Sequence, residues 1–133
     1  MKKVILTGGK FNRIHPGHLW LLKRAKKLGY LVVVIANDSH NKKPYAVPAN
    51  KRKKMIEALD IADKVVIGAP KKFVRVVHRF RPSVIVLGYD QKLPDKETKE
   101  AVKKMKIRVV RFKKYGRYRT RKLSTTNVSP FSY

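Results

Sequence analysis

The chain has 133 residues, 43% of them apolar, and no cysteine, which allows one domain with its own core and excludes disulfides and thiolate metal sites. Against 34 Lys and Arg stand 8 Asp and Glu, a net charge of +26, and no acidic residue precedes Asp38 or follows Glu100. A surface of that sign draws polyanions such as triphosphates, nucleic acid or acidic headgroups. The Lys-rich ion-pair networks of thermophiles need matching carboxylates, and only Glu57, Glu97 and Glu100 supply glutamate.

Lys3–Thr7 is expected to form a first strand; Thr7-Gly8-Gly9 breaks its apolar run too early for a signal peptide. Leu19, Leu22 and Ala25 share one face of a helix expected over Gly17–Leu28 and closed by Gly29. Tyr30–Ala36 is apolar and β-branched without alternation, as in a parallel strand buried on both faces, and is too short to span a bilayer. A polar loop over 37–47 leads to a helix near Pro48 with Met55, Ile56 and Leu59 inward. Lys64–Ile67 is a third strand, and Pro70–Phe80 a short helix with Phe73, Val77 and Phe80 on one face. Ser83–Leu87 is a fourth strand, Pro94–Met105 a helix and Ile107–Phe112 a fifth strand. The alternation predicts a single-domain α/β fold, a doubly wound, Rossmann-like sheet of five parallel strands. The domain is expected over residues 1–128, with 129–133 a short tail, and the cytoplasm is the expected compartment.

Ligands of such sheets bind at the carboxyl ends of the strands, where Gly8 to His18 lies. Gly8 and Gly9 permit a tight turn and close backbone approach. Pro16-Gly17 begins a helix whose free N–H groups face the same place, and His15 and His18 lie a turn apart. The segment reads as an anion site flanked by two imidazoles. It is neither a Walker A loop nor a G-x-G-x-x-G fingerprint, and the two histidines have no evident third ligand for zinc. His40 and His78 read as structural or solvated.

The string GGKFNRIHPGH resembles the G-x-F-x-x-x-H-x-G-H signature of the HxGH nucleotidyltransferases. Arg52, Asp63 and the run Leu87-Gly88-Tyr89-Asp90-Gln91 are similar to further family positions, the last to the LGxDQ of archaeal members. Arg119-Thr120 with Leu123-Ser124-Thr125-Thr126 resembles the RTxxISTT motif of glycerol-3-phosphate cytidylyltransferases and narrows the resemblance to the cytidylyltransferase-like branch, which includes archaeal FAD synthases and sugar-phosphate nucleotidyltransferases.

The resemblance implies attack by a substrate phosphate oxygen on the α-phosphorus of a nucleoside triphosphate, with Mg²⁺-pyrophosphate leaving. It implies catalytic roles for Lys10, His15, His18 and Arg119. Nucleotide contacts would come from Gly8, Gly9, Lys10, Phe11, His15, Gly17 and His18, from Gly88, Asp90 and Gln91, and from Lys122, Ser124 and Thr125. Lys43, Arg52 and Arg119 would bind the acceptor phosphate. Lys10 stands where the family has a small Thr, Asn12 where it has Asp, and Lys122 where it has Gly. The first expectation is CMP transfer from CTP to a phosphorylated alcohol such as glycerol 3-phosphate. The alternatives are adenylyl transfer from ATP to FMN and, in another class, nucleic-acid binding through the basic stretch Arg108–Lys122. Expected partners are CTP or ATP and a small phosphorylated acceptor, with nucleic acid and a second copy of the chain as further candidates.

Overall fold

In the computed structural model, strands β1 (Val4–Gly9), β2 (Tyr30–Ile35), β3 (Lys64–Ile67), β4 (Val84–Leu87) and β5 (Arg108–Phe112) alternate with helices α1 (Pro16–Lys26), α2 (Ala49–Ala58), α3 (Val74–Phe80) and α4 (Lys96–Lys104). The structure describes residues 3–68, 72–89 and 91–112, and the backbone of 128–130. The five strands are parallel. A sixth, β6 (Val128–Pro130), pairs antiparallel with β5, and the sheet order is β3-β2-β1-β4-β5-β6. This short edge strand spans the boundary expected at 128; three residues are too few for a periodic signal.

The sheet is buried on both faces, which is why β2 and β4 are continuous apolar runs. On one face Ile5, Leu31, Val33, Ile35, Val86 and Val110 pack with Leu22 and Ala25 of α1 and Ile56 of α2. On the other, Leu6, Val32, Val34, Ile85 and Val109 pack with Val76 and Val77 of α3 and Val102 of α4. Two helices on each face make the sheet doubly wound, as its alternation predicts. No described helix is long and apolar enough to cross a membrane.

The helix limits differ from expectation for local reasons. Helix α4 starts at Lys96 because the Asp95 side chain accepts from the Thr98 N–H (2.8 Å) and caps it. Helix α3 starts at Val74 and buries Val74, Val76 and Val77, with Phe73 and Phe80 packed at the margin. Helix α2 follows Pro48 and buries Ala49, Arg52 and Ile56. Asp63 accepts from the Leu31 N–H (2.8 Å) and the Lys26 ammonium (2.7 Å), fixing the start of β2 against the end of α1.

Candidate active site

Neighbouring strands β1 and β4 carry crossovers to opposite faces, and two pockets open around their carboxyl ends. Gly8, Gly9, Ala36 and Gln91 belong to both, so the pockets share a floor. Gln91 pins that floor: its Nε2 donates to the Gly8 carbonyl (2.9 Å), and its Oε1 accepts from the Gly88 N–H (2.7 Å). The side chain expected to touch nucleotide is thus a clasp between the strand ends.

The larger pocket, about 970 Å³, is lined by Gly8, Gly9, Lys10, Phe11, His15, Gly17, His18, Gly88 and Gln91, all expected nucleotide contacts. Phe11 has φ 51°, and its buried ring lies so close beneath Gly9 that a Cβ there would come within 3.0 Å of it. The same ring meets His18 edge-on at 5.0 Å between centroids. Beyond it the His15 and His18 rings stack at 3.7 Å. One stack therefore aligns the Gly-Gly turn with both imidazoles.

His15 is also the N-cap of α1: its Nδ1 accepts from the N–H of Gly17 (3.1 Å) and of His18 (3.3 Å). A ring nitrogen that accepts carries no proton, so the neutral ring bears its proton on Nε2 and offers a donor there. A Cβ at residue 17 would lie 3.0 Å from the His15 ring, so glycine lets the ring fold over the helix start. The helix dipole adds positive potential at this point.

Arg52 corrects an expectation. Instead of reaching for an acceptor phosphate it is fully buried, with Nε donating to Val47 O (2.6 Å), Nη1 to Lys10 O (2.8 Å) and Nη2 to Asp38 Oδ1 (3.0 Å). All three guanidinium nitrogens are engaged within the protein, so Arg52 braces the turn from behind and lines neither pocket. Asn12 acts alongside it: Asn12 and Asn41 exchange two amide hydrogen bonds of 2.8 and 2.7 Å, and Asn12 Oδ1 also accepts from the Val47 N–H (2.9 Å). The loop before α2 is thereby tied to the motif loop. Exposed Lys10 is on the pocket wall. Lys43 is not; its ammonium lies 6.0 Å from the ring of Tyr45, which is. Asp90, Arg119, Lys122, Ser124 and Thr125 lie outside the described residues.

The smaller pocket, about 450 Å³, was not foreseen. Its wall is largely apolar, with Val34, Phe73, Ile85, Leu87 and Leu93, and His40, expected to be merely structural or solvated, lies on its rim. These residues come from five separate segments, and each reads locally as core or loop, so no linear motif could mark them. Among the described residues no group of three or more His, Asp or Glu side chains is placed to hold a metal ion.

Comparison with known proteins gives a concordant picture. Residues 6–129 match the model of the cytidylyltransferase-like family. An FAD synthase of Aciduliprofundum boonei is 42% identical over 118 residues, covering 84% of this chain and 79% of its own. The FAD synthase of Ferroglobus placidus is 40% identical over 119 residues, 85% of this chain and 77% of its own. The crystal structure of a lipopolysaccharide core biosynthesis protein from Thermoplasma volcanium superposes with a TM-score of 0.77 at 34% identity, over 87% of this chain and all of that one.

Proposed function

This chain belongs to the cytidylyltransferase-like family and is a nucleotidyltransferase, and from that premise we propose that it transfers AMP from ATP to the phosphate of FMN, forming FAD and pyrophosphate. Relatives named FAD synthase favour this reading over CMP transfer to glycerol 3-phosphate. The observation that carries it is the apolar pocket beside the histidines. Glycerol phosphate has no surface for walls of Val34, Phe73, Ile85 and Leu93, whereas a flat isoalloxazine ring does. A volume near 450 Å³ is ordinary for a pocket that encloses a small ligand.

In this reading the larger, basic pocket takes Mg-ATP, the ion arriving with the triphosphate as substrate. The FMN phosphate lies over the shared floor of Gly8 and Gly9. One of its oxygens attacks the α-phosphorus; that P–O bond forms while the bond from the α-phosphorus to the bridging oxygen breaks, and pyrophosphate leaves with the electron pair. The nucleophile is already anionic and needs no general base. What the protein supplies is alignment and positive potential. The Nε2–H of His15, the start of α1 and the Lys10 ammonium supply it around the phosphates, and Arg119, Ser124 and Thr125 are assigned to the triphosphate by their motif.

The test is pyrophosphate release with ATP plus FMN beside CTP plus glycerol 3-phosphate, with FAD identified by chromatography. Turnover is expected in the first mixture. Turnover in the second alone would overturn the reading. Substituting Phe73→Ala in the apolar wall is expected to raise KM for FMN with little change for ATP.

A further inference from the structure

We infer that the end of the molecule opposite the pockets carries a second anion surface, built from Arg79, Arg81, Lys103, Lys104, Lys106 and Arg108, which holds the phosphate backbone of a nucleic acid. In a parallel sheet with helical crossovers the helices finish where the strands begin, and the pockets lie at the other end. Helices α3 and α4 cover the same sheet face, and both end at that far pole. The Arg108 N–H donates to the Ser83 carbonyl (3.1 Å), which sets the start of β5 beside the segment that follows Arg81. Lys106 folds back to donate to the Lys103 carbonyl (3.2 Å). All six side chains are exposed, and none is among the ion pairs of the described residues.

An independent observation is the backbone at two of them. Arg81 has φ 46° and Lys106 φ 56°, the left-handed conformation in which helices usually place glycine. A side chain there is disfavoured by roughly 1–2 kcal/mol. Helix-dipole compensation does not account for it, because His78 and Arg79 already occupy the last turn of α3, and Lys103 and Lys104 that of α4. The cations at 81 and 106 exceed what the helix ends require.

The chemistry of the patch selects the partner. The exposed large apolar side chains among the described residues are Leu28, Tyr45 and Tyr89, and none belongs to it. A protein interface usually has an apolar centre, and a membrane-surface helix needs an apolar face to insert. Arg79 lies over the half-buried Phe80 ring (4.7 Å), but no exposed large apolar side chain centres the patch, and such a set of cations fits a phosphodiester backbone, gripped without regard to sequence.

The experiment measures anisotropy of a short fluorescent DNA duplex of mixed sequence, titrated with the full chain across a salt series, with ATP at one fixed concentration throughout to occupy the larger pocket. Binding is expected to weaken linearly on a log–log salt plot. The double variant Arg81→Gly/Lys106→Gly, which relieves the backbone, is expected to melt no lower than the parent and to release pyrophosphate at the parental rate. Its salt slope should be shallower by roughly 0.9 for each phosphate that the missing cations had neutralised. Lys103→Glu/Arg108→Glu should weaken binding more than tenfold. Absence of duplex binding by the parent overturns the proposal, as does binding that both double variants retain in full. Capture by phosphatidylserine vesicles but not by the duplex would assign the patch to a membrane and equally overturn it.

Discussion

The imidazole of His15 uses one nitrogen to cap α1 and leaves the other as a donor, so two substitutions can separate the roles. His15→Asn keeps a capping acceptor and is expected to hold the melting temperature while turnover falls by about 10²-fold or more, the usual cost of losing one transition-state donor. His15→Ala should lose the cap as well, about 1 kcal/mol in urea unfolding. Parental turnover in His15→Asn would refute the donor role. Arg52 sets the opposite case, because its work is structural. Arg52→Met leaves the carbonyls of Lys10 and Val47 without donors and should cost about 2–3 kcal/mol by denaturant titration. Little of that comes from the ion pair, since Asp38 is largely exposed. Arg52→Lys should not rescue it, for one ammonium cannot reach three separated acceptors. The residue type and its place near the motif were legible in the sequence; its burial was not. A lone arginine reads as a phosphate ligand until the fold shows what surrounds it.

At the scale of elements, the strands were the most legible part. Lys64–Ile67 is the third strand with the bounds its apolar pattern predicts, because three consecutive β-branched residues, Val65, Val66 and Ile67, between charged and glycine flanks leave few alternatives. Helix limits were less so, since they depend on caps such as the Asp95 carboxylate rather than on periodicity. The Gln91 clasp was invisible, because it joins β1 to β4 across 83 positions of chain. It yields an asymmetric test. Gln91→Glu keeps the acceptor for the Gly88 N–H and loses the donor to Gly8, so thermal unfolding should show a loss of about 1–2 kcal/mol. Because both pockets rest on Gly8, kcat/KM should fall for ATP and FMN together. A change confined to one substrate would mean that the clasp serves that substrate directly.

For the whole molecule, alternation of strand and helix was enough to foresee the doubly wound sheet, and the Gly8–His18 motif marks the strand end at which the larger pocket opens. The apolar compartment needed the fold, because Val34, Phe73, Ile85 and Leu93 are distant in the chain and converge only once α3 and α4 share a sheet face. Its shared floor with the basic compartment has a kinetic consequence. A joined dinucleotide would occupy both compartments as one molecule, so neither half can escape until the other lets go, and rebinding of a loosened half is intramolecular. On the proposed transfer to FMN, product departure is then expected to be the slow step. Rapid mixing of enzyme with both substrates should show a burst of pyrophosphate, in amount close to that of the enzyme, ahead of a slower steady rate. A time course linear from the first turnover would mean that the two halves leave as easily as they arrived.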